Sequence, residues 1–290
     1  MERINPADYP DTCSFPPASS HDGDHQQNPS TTPPPLIPKF VHFVRLHDTD
    51  ASFGLLEYLV IRAAHVNIRP IRIFYHHRAL PSTDNEWWER ARGMITDLVY
   101  TDDFGAVFGN VVEKGAHKAD VVRLRALMKW GGIYLDMDVI VTKPLDPLLH
   151  HPLVMGLEGH TAPYIGLCNA VILASPSSAF LHRWYAAYTT FNDAAWSDHS
   201  VVLPYNMSLT APEGEICVLP PTSFFWPGYW PNHQAFVHLE DEWNFYNDYQ
   251  YASHVYNTGK KYLWNLSVKG IRTRNSSFTR LVRPYLPDDV

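Results

Sequence analysis

The stretch HKADVVRLRALMKWGGIYLDMDVIVTKPLD, residues 117–146, decides how this chain folds. Its first half places Val121, Leu124, Leu127 and Met128 on one face at helical spacing, which predicts a helix. Gly131-Gly132 then ends that helix, because glycine enters left-handed backbone without a steric penalty. From Ile133 to Val141 the pattern predicts a strand. Alternation sets Tyr134, Asp136 and Asp138 on one side and Ile133, Leu135, Met137 and Val139 on the other. Pro144, which has no N–H to give a ladder, closes the run.

Two carboxylates at i and i+2, at the end of an apolar strand, are costly unless a positive charge faces them. Hard divalent cations such as Mn²⁺ or Mg²⁺ take such oxygen ligands, and a metal held there neutralises a diphosphate leaving group. An Asp-x-Asp alone is common; its neighbours sharpen it. Asp120 and Arg123 stand at i and i+3 on the preceding helix and are expected to face the same pocket, where Arg suits a phosphate or hydroxyl and Asp suits sugar hydroxyls.

Working outward, Leu36 to Val44 reads as a buried first strand, residues 50–65 as a helix, and Ile71 to Tyr75 as a second strand. Residues 84–95 follow as a helix capped by Asp84, and Leu98-Val99-Tyr100 as a short strand. Strand and helix alternating in this way predict a mostly parallel, Rossmann-like sheet with helices on both faces, which collects ligands outside the carboxyl ends of its strands. Beyond about residue 200 the pattern loosens into Pro-, Trp- and Tyr-rich loops and a partial second lobe. Residues 1–35, rich in Pro, Ser, Asp, His and Gln, are expected to be a disordered tail before a single domain over 36–290.

The 290 residues carry a net charge of −7 and show no basic stripe, which excludes a general nucleic-acid binder. Three cysteines, Cys13, Cys168 and Cys217, do not make a disulfide framework, and whether Cys168 and Cys217 pair is left open. Sequons stand at Asn206, Asn265 and Asn275. No signal peptide and no run near the roughly 18 apolar residues of a membrane span are seen, although membrane association stays open. Aromatic residues make up 13% of the chain, and Phe224-Phe-Trp-Pro-Gly-Tyr-Trp230 offers Trp226 and Trp230 as an acceptor platform.

The segment from Lys118-Ala-Asp-Val-Val-Arg123 to Gly131-Gly-Ile-Tyr-Leu-Asp-Met-Asp138 resembles the sugar-binding region of family 32 glycosyltransferases, which include alpha-1,4-galactosyltransferase-like enzymes and sphingolipid mannosyltransferases. Ile37-Pro-Lys-Phe-Val-His-Phe43 looks like the family's first strand, Asn169 to Pro176 like the segment after the metal site, and Ala252 to Lys260 like its late His-x-aromatic-Asn stretch, with Tyr256 where Trp is frequent. The resemblance implies a GT-A fold and a retaining transfer of a hexose from a UDP- or GDP-sugar to a carbohydrate or glycolipid acceptor. It implies that Asp138 ligates Mn²⁺ or Mg²⁺, that Asp136 bridges to the metal or contacts the ribose, that His254 contacts the metal or the diphosphate, that Asp120 and Arg123 hold the donor sugar, and that Phe43 reaches the nucleotide. Tyr134, Asn169 and Tyr256 complete the implied pocket. It also implies a Golgi or secretory lumen; with no leader or anchor visible, a soluble cytoplasmic form is the alternative. Two other functions fit the same residues: a degenerate nucleotide-sugar-binding module, and a haloacid-dehalogenase-type phosphatase with Asp136 as nucleophile and Asp138 as general acid.

Overall fold

The computed structural model describes Cys13 and residues 34–47, 53–159, 165–256 and 260–289. The expected tail over 1–35 lies outside them, apart from Cys13, Pro34 and Pro35. In chain order the first half runs β1 (Phe40–Arg45), α1 (Leu55–Ile68), β2 (Arg72–His77), α2 (Glu86–Arg92), β3 (Asp97–Tyr100), a hairpin of β4 (Ala106–Val107) and β5 (Asn110–Val111), α3 (Gly115–Trp130) and β6 (Gly132–Leu135). The second half runs β7 (Val139–Val141), β8 (Leu153–Glu158), β9 (Gly166–Ala174), α4 (Ala179–Ala186), α5 (Leu203–Ser208), β10 (Cys217–Leu219), α6 (Pro231–Leu239) and β11 (Ala252–His254). Three short helices, α7 (Lys260–Leu263), α8 (Val268–Thr273) and α9 (Ser277–Val282), follow.

Seven strands form one sheet in the order β10-β8-β9-β6-β1-β2-β3. β1 pairs parallel with β2 and β6, and β8 with β10, while β9 runs antiparallel to both its neighbours. The strands therefore alternate burial between two helical layers. Val41, Ile73, Ile133 and Leu135 pack with Leu59 and Ala63 of α1, whereas Tyr134 and Ile172 pack with Val121, Leu124 and Leu127 of α3 and Phe180 of α4. Both faces being covered, the central strands are largely apolar, as a mostly parallel sheet requires, with His42 on β1 and His76 on β2 among the buried polar exceptions.

The Gly131-Gly132 stop holds. Gly131 has φ 64° and its N–H caps Leu127 O at 2.8 Å; a Cβ there would meet Pro176 at 2.5 Å, and one on Gly132 (φ 115°) would meet Phe40 O at 2.5 Å. Neither position has room for a side chain. The strand expected to run on to Val141 breaks after Leu135. Val139 N–H bonds back to Asp136 O at 3.1 Å in a tight turn, and β7 leaves the main sheet to pair antiparallel with β11. The α2 cap is Asn85, whose side-chain oxygen takes the Trp88 N–H at 2.9 Å, and not Asp84. Cys217 is joined to Cys13, so the Cys168–Cys217 pairing does not occur and Cys168 is a buried free thiol.

Candidate active site

The carboxyl end of the sheet carries a cavity of about 620 Å³. Asp136 sits at its floor because β6 ends there, its N–H bonded to Ala170 O of β9 at 2.9 Å. Asp138 arrives two residues later through the turn. Its carbonyl accepts the Val255 N–H at 2.9 Å, and the β7–β11 ladder sets His254 opposite Val139. That register brings His254 Nε2 to 3.0 Å from Asp138 Oδ1.

Asp136, Asp138 and His254 offer ligand atoms that all lie within 4.8 Å of one another. His254 Nδ1 is buried and lacks a partner, and two carboxylates with one imidazole form a donor set that suits Mn²⁺ or Mg²⁺. Burial opposes ionisation of Asp138, yet the imidazole beside it holds its carboxyl below the ordinary range. Burial likewise favours neutral His254, and Asp138 outweighs it, raising the imidazole above its usual value.

A buried polar cluster supports this group from α3. Arg123 lies 3.1 Å from Asp120, 3.1 Å from Asp136, and donates Nη1 to Asn169 O at 2.7 Å. Its guanidinium also stands 4.3 Å from the centre of the Tyr134 ring, and the Tyr134 hydroxyl donates to Asp136. Asn169 Nδ2 donates to Asp120 Oδ1 at 2.7 Å. Burial pushes the Asp120 carboxyl up despite Arg123 and Asn169, while Asp136, Tyr134 and Asp120 keep the buried guanidinium charged. The cluster is thus a wired support in which Arg123 orients Asp136 and Asn169 orients Asp120.

Asp120, Arg123, Asn169, His254 and Tyr256 line the cavity with the two aspartates. Tyr134 is buried beneath it, one bond removed. The structure does not bring three other candidates there. Phe43 is fully buried in the core, because β1 is covered on both faces. Trp226 is 3% exposed and packs edge-on against His233, its centroid 4.5 Å away. Trp230 stacks on Tyr229 at 4.6 Å, and it is Tyr229 that reaches the cavity.

The lining residues that were not singled out from sequence include His117, Glu158, Trp196 and Tyr229. Glu158 ends β8 as Asp136 follows β6, an acid closing an apolar run, so the same signal marked both. Burial raises its carboxyl, with His254 and the Tyr256 hydroxyl at 3.4 Å acting the other way.

Residues 77–155 match the family described as glycosyltransferase sugar-binding region containing DXD motif. The chain is 36% identical over 264 residues to Glucan organizing enzyme 1 of Cryptococcus neoformans var. grubii, covering 87% of this chain and 71% of that one. A 35-residue stretch is 63% identical to Inositol phosphoceramide mannosyltransferase 3 of Schizosaccharomyces pombe, covering 12% of this chain and 10% of that one. Among solved structures, the apo form of the glycosyltransferase GlyE of Streptococcus pneumoniae superposes with TM-score 0.51 at 15% identity, over 87% of this chain and 61% of GlyE. The architecture is accordingly of the GT-A type.

Proposed function

The chain belongs to the glycosyltransferase family marked by the DXD-containing sugar-binding region, and from that premise we propose that it moves a hexose from a nucleoside diphosphate sugar to a carbohydrate acceptor with retention at the anomeric carbon. The observation that carries the proposal is the meeting of Asp136, Asp138 and His254 in one cavity, with His254 Nδ1 buried and unpartnered. These three side chains would hold a divalent cation, which when bound supplies positive charge to the departing diphosphate.

The chain's own residues do the rest. Asp120, fixed by Asn169 and Arg123, presents a carboxylate to sugar hydroxyls, and its buried setting strengthens any hydrogen bond it accepts. Arg123 and the Tyr134 hydroxyl hold Asp136 in one orientation, so the ligand set needs little rearrangement. Retention and the hexose class rest on the family likeness. The relatives whose names refer to glucan and to an inositol phosphoceramide mannosyl transfer support a glycan or glycolipid acceptor.

Release of nucleoside diphosphate from UDP- and GDP-hexoses, measured with Mn²⁺ and with EDTA, tests the proposal. Metal-stimulated release that falls at least about 100-fold in Asp138→Asn, a loss of ~2.7 kcal/mol of transition-state stabilisation, is the expected result. Turnover that survives EDTA, or survives that substitution, refutes it. Nucleotide-sugar binding with no turnover of any donor would instead mark a binding module.

A further inference from the structure

We propose that the indole of Trp196 is the platform on which the acceptor's pyranose ring stacks, and that His117 and Asp193 hold it in place; the assignment rests on the transferase function above. Twelve large apolar side chains are prominently exposed among the described residues, and of these Trp196 alone lines the cavity that holds Asp136 and Asp138. Trp196 is 67% exposed. An indole standing in water beside a cavity offers a flat apolar face with a polar N–H at its edge, the combination that makes Trp frequent where ligands and partners dock.

The loop that carries the ring is fixed. His117, itself buried at the start of α3, meets Asp193 Oδ1 at 2.7 Å through Nδ1 and Trp196 O at 3.2 Å through Nε2. The carbonyl can only accept, so Nε2 donates to it. The Lys114 ammonium donates to Asp193 O, and Asn192 caps the following turn by taking the Ala194 N–H at 3.0 Å. Downstream, Ser197 O accepts the Val201 N–H at 2.9 Å. The indole stands 5.6 Å from the His117 ring and tilted to it by 43°, leaving most of its surface to solvent. An aromatic side chain held in this way stacks a ligand with little loss of its own freedom.

The chemistry around the ring selects the acceptor over the donor. The donor's diphosphate needs positive charge, which a divalent cation on Asp136, Asp138 and His254 would supply. The wall near the ring offers neutral hydroxyls from Ser197 and Ser200, and Tyr229 and Glu158 also line the same cavity. A flat apolar face in a cavity that also presents hydroxyls and a carboxylate suits an uncharged pyranose, whose C–H face stacks while its hydroxyls donate to oxygen.

The test compares wild type, Trp196→Ala and Trp196→Phe with Mn²⁺ and the nucleotide-sugar that the wild type turns over. The acceptor probes are methyl α-mannopyranoside, methyl β-glucopyranoside and methyl β-galactopyranoside. Trp196→Ala should raise the KM of the glycoside used by about tenfold or more, equivalent to ~1.4 kcal/mol. Trp196→Phe should recover most of that affinity, and the donor KM should move far less than the acceptor KM in both. Melting curves should stay close to wild type, since little of the ring is buried. A donor KM that rises as much as the acceptor KM overturns the proposal by giving the ring to the nucleotide. An unchanged acceptor KM, or a wild type that accepts none of the three glycosides, overturns it as well. A wild type that cleaves no donor in the presence of metal overturns the transferase function itself.

Discussion

Replacing Arg123 by Met removes a guanidinium from the middle of the support and keeps most of its stem. The side chain is 6% exposed, and the substitution takes away two ion pairs at 3.1 Å and the 2.7 Å bond to Asn169 O. Removing one partner of a buried pair costs roughly 3–5 kcal/mol, because a charge is left without compensation. Two effects hold the loss to the lower end. Asp136 is 27% exposed, so water screens part of its charge. Asp120, whose carboxyl burial already pushes up, escapes by binding a proton. We therefore expect a loss of about 3 kcal/mol at pH 7, which lowers the melting temperature by roughly 6–12 °C at this chain size. The sign with pH follows. A carboxyl whose folded pKa lies above its unfolded value stabilises the fold on acidification, so the deficit should shrink as pH falls towards the unfolded value near 4. Adding Asp120→Asn, which removes the stranded charge, should restore more than half of the loss, and the pair should be strongly non-additive. Calorimetry and guanidinium titration read all of this. A loss under about 1 kcal/mol, or a double variant no better than the sum of its parts, would refute the claim that Arg123 serves to neutralise the two aspartates.

Two further predictions concern parts of the fold away from that cluster. Burial pushes His42 down to about 4 and His76 down to about 3, and His42 Nδ1 lies 3.1 Å from His76 Nε2. Depressed values mean that the unfolded chain binds the extra protons first, so stability present above pH 6.5 is lost as pH falls towards 4. At 1.36 kcal/mol per unit, His42 alone accounts for about 3 kcal/mol over that window; urea titrations at several pH values should show the slope, and His76→Phe should flatten it. Trp226, buried against His233 and Trp243, should cost roughly 3–5 kcal/mol on replacement by Ala. Whatever Trp226→Ala protein folds should keep its acceptor KM within about threefold, and a larger change would return Trp226 to the acceptor platform.

The helix, the glycine stop and the start of β6 were legible because each is a local consequence of side-chain spacing and backbone freedom. Val121, Leu124 and Leu127 can share a face only in a helix, and Gly131 and Gly132 occupy positions that admit no Cβ. The break after Leu135 was not legible. Apolar alternation runs on through Val139 to Val141, and what ends the strand is β11, whose Ser253 pairs with Ile140 from the far end of the chain. Phe43, Trp226 and Trp230 lie outside the cavity for a related reason. Composition reports that Phe43 and Trp226 are apolar, and says nothing about whether a ring faces the core or a cavity. Trp196 carries no sequence signal at all, since its exposure depends on a loop held by His117 some 80 residues earlier. Glu158 was within reach, because it closes an apolar strand running in the same direction as β6.

That break also explains why the two aspartates differ. Asp136 belongs to the main sheet, through its N–H to Ala170 O and its salt bridge to Arg123. Asp138 belongs to the small sheet, through its carbonyl to Val255 N–H and its side chain to His254. The two-residue step between them spans a joint between sheets, so their geometry is set by two separate packing problems. A cation shared by the pair would lie across that joint. Arg123 fixes one side with a buried charge, whereas His254 fixes the other with a group that must release any proton it carries before it can ligate. The Asp136 side is therefore built before a metal arrives, and the Asp138 side is the one a metal would change.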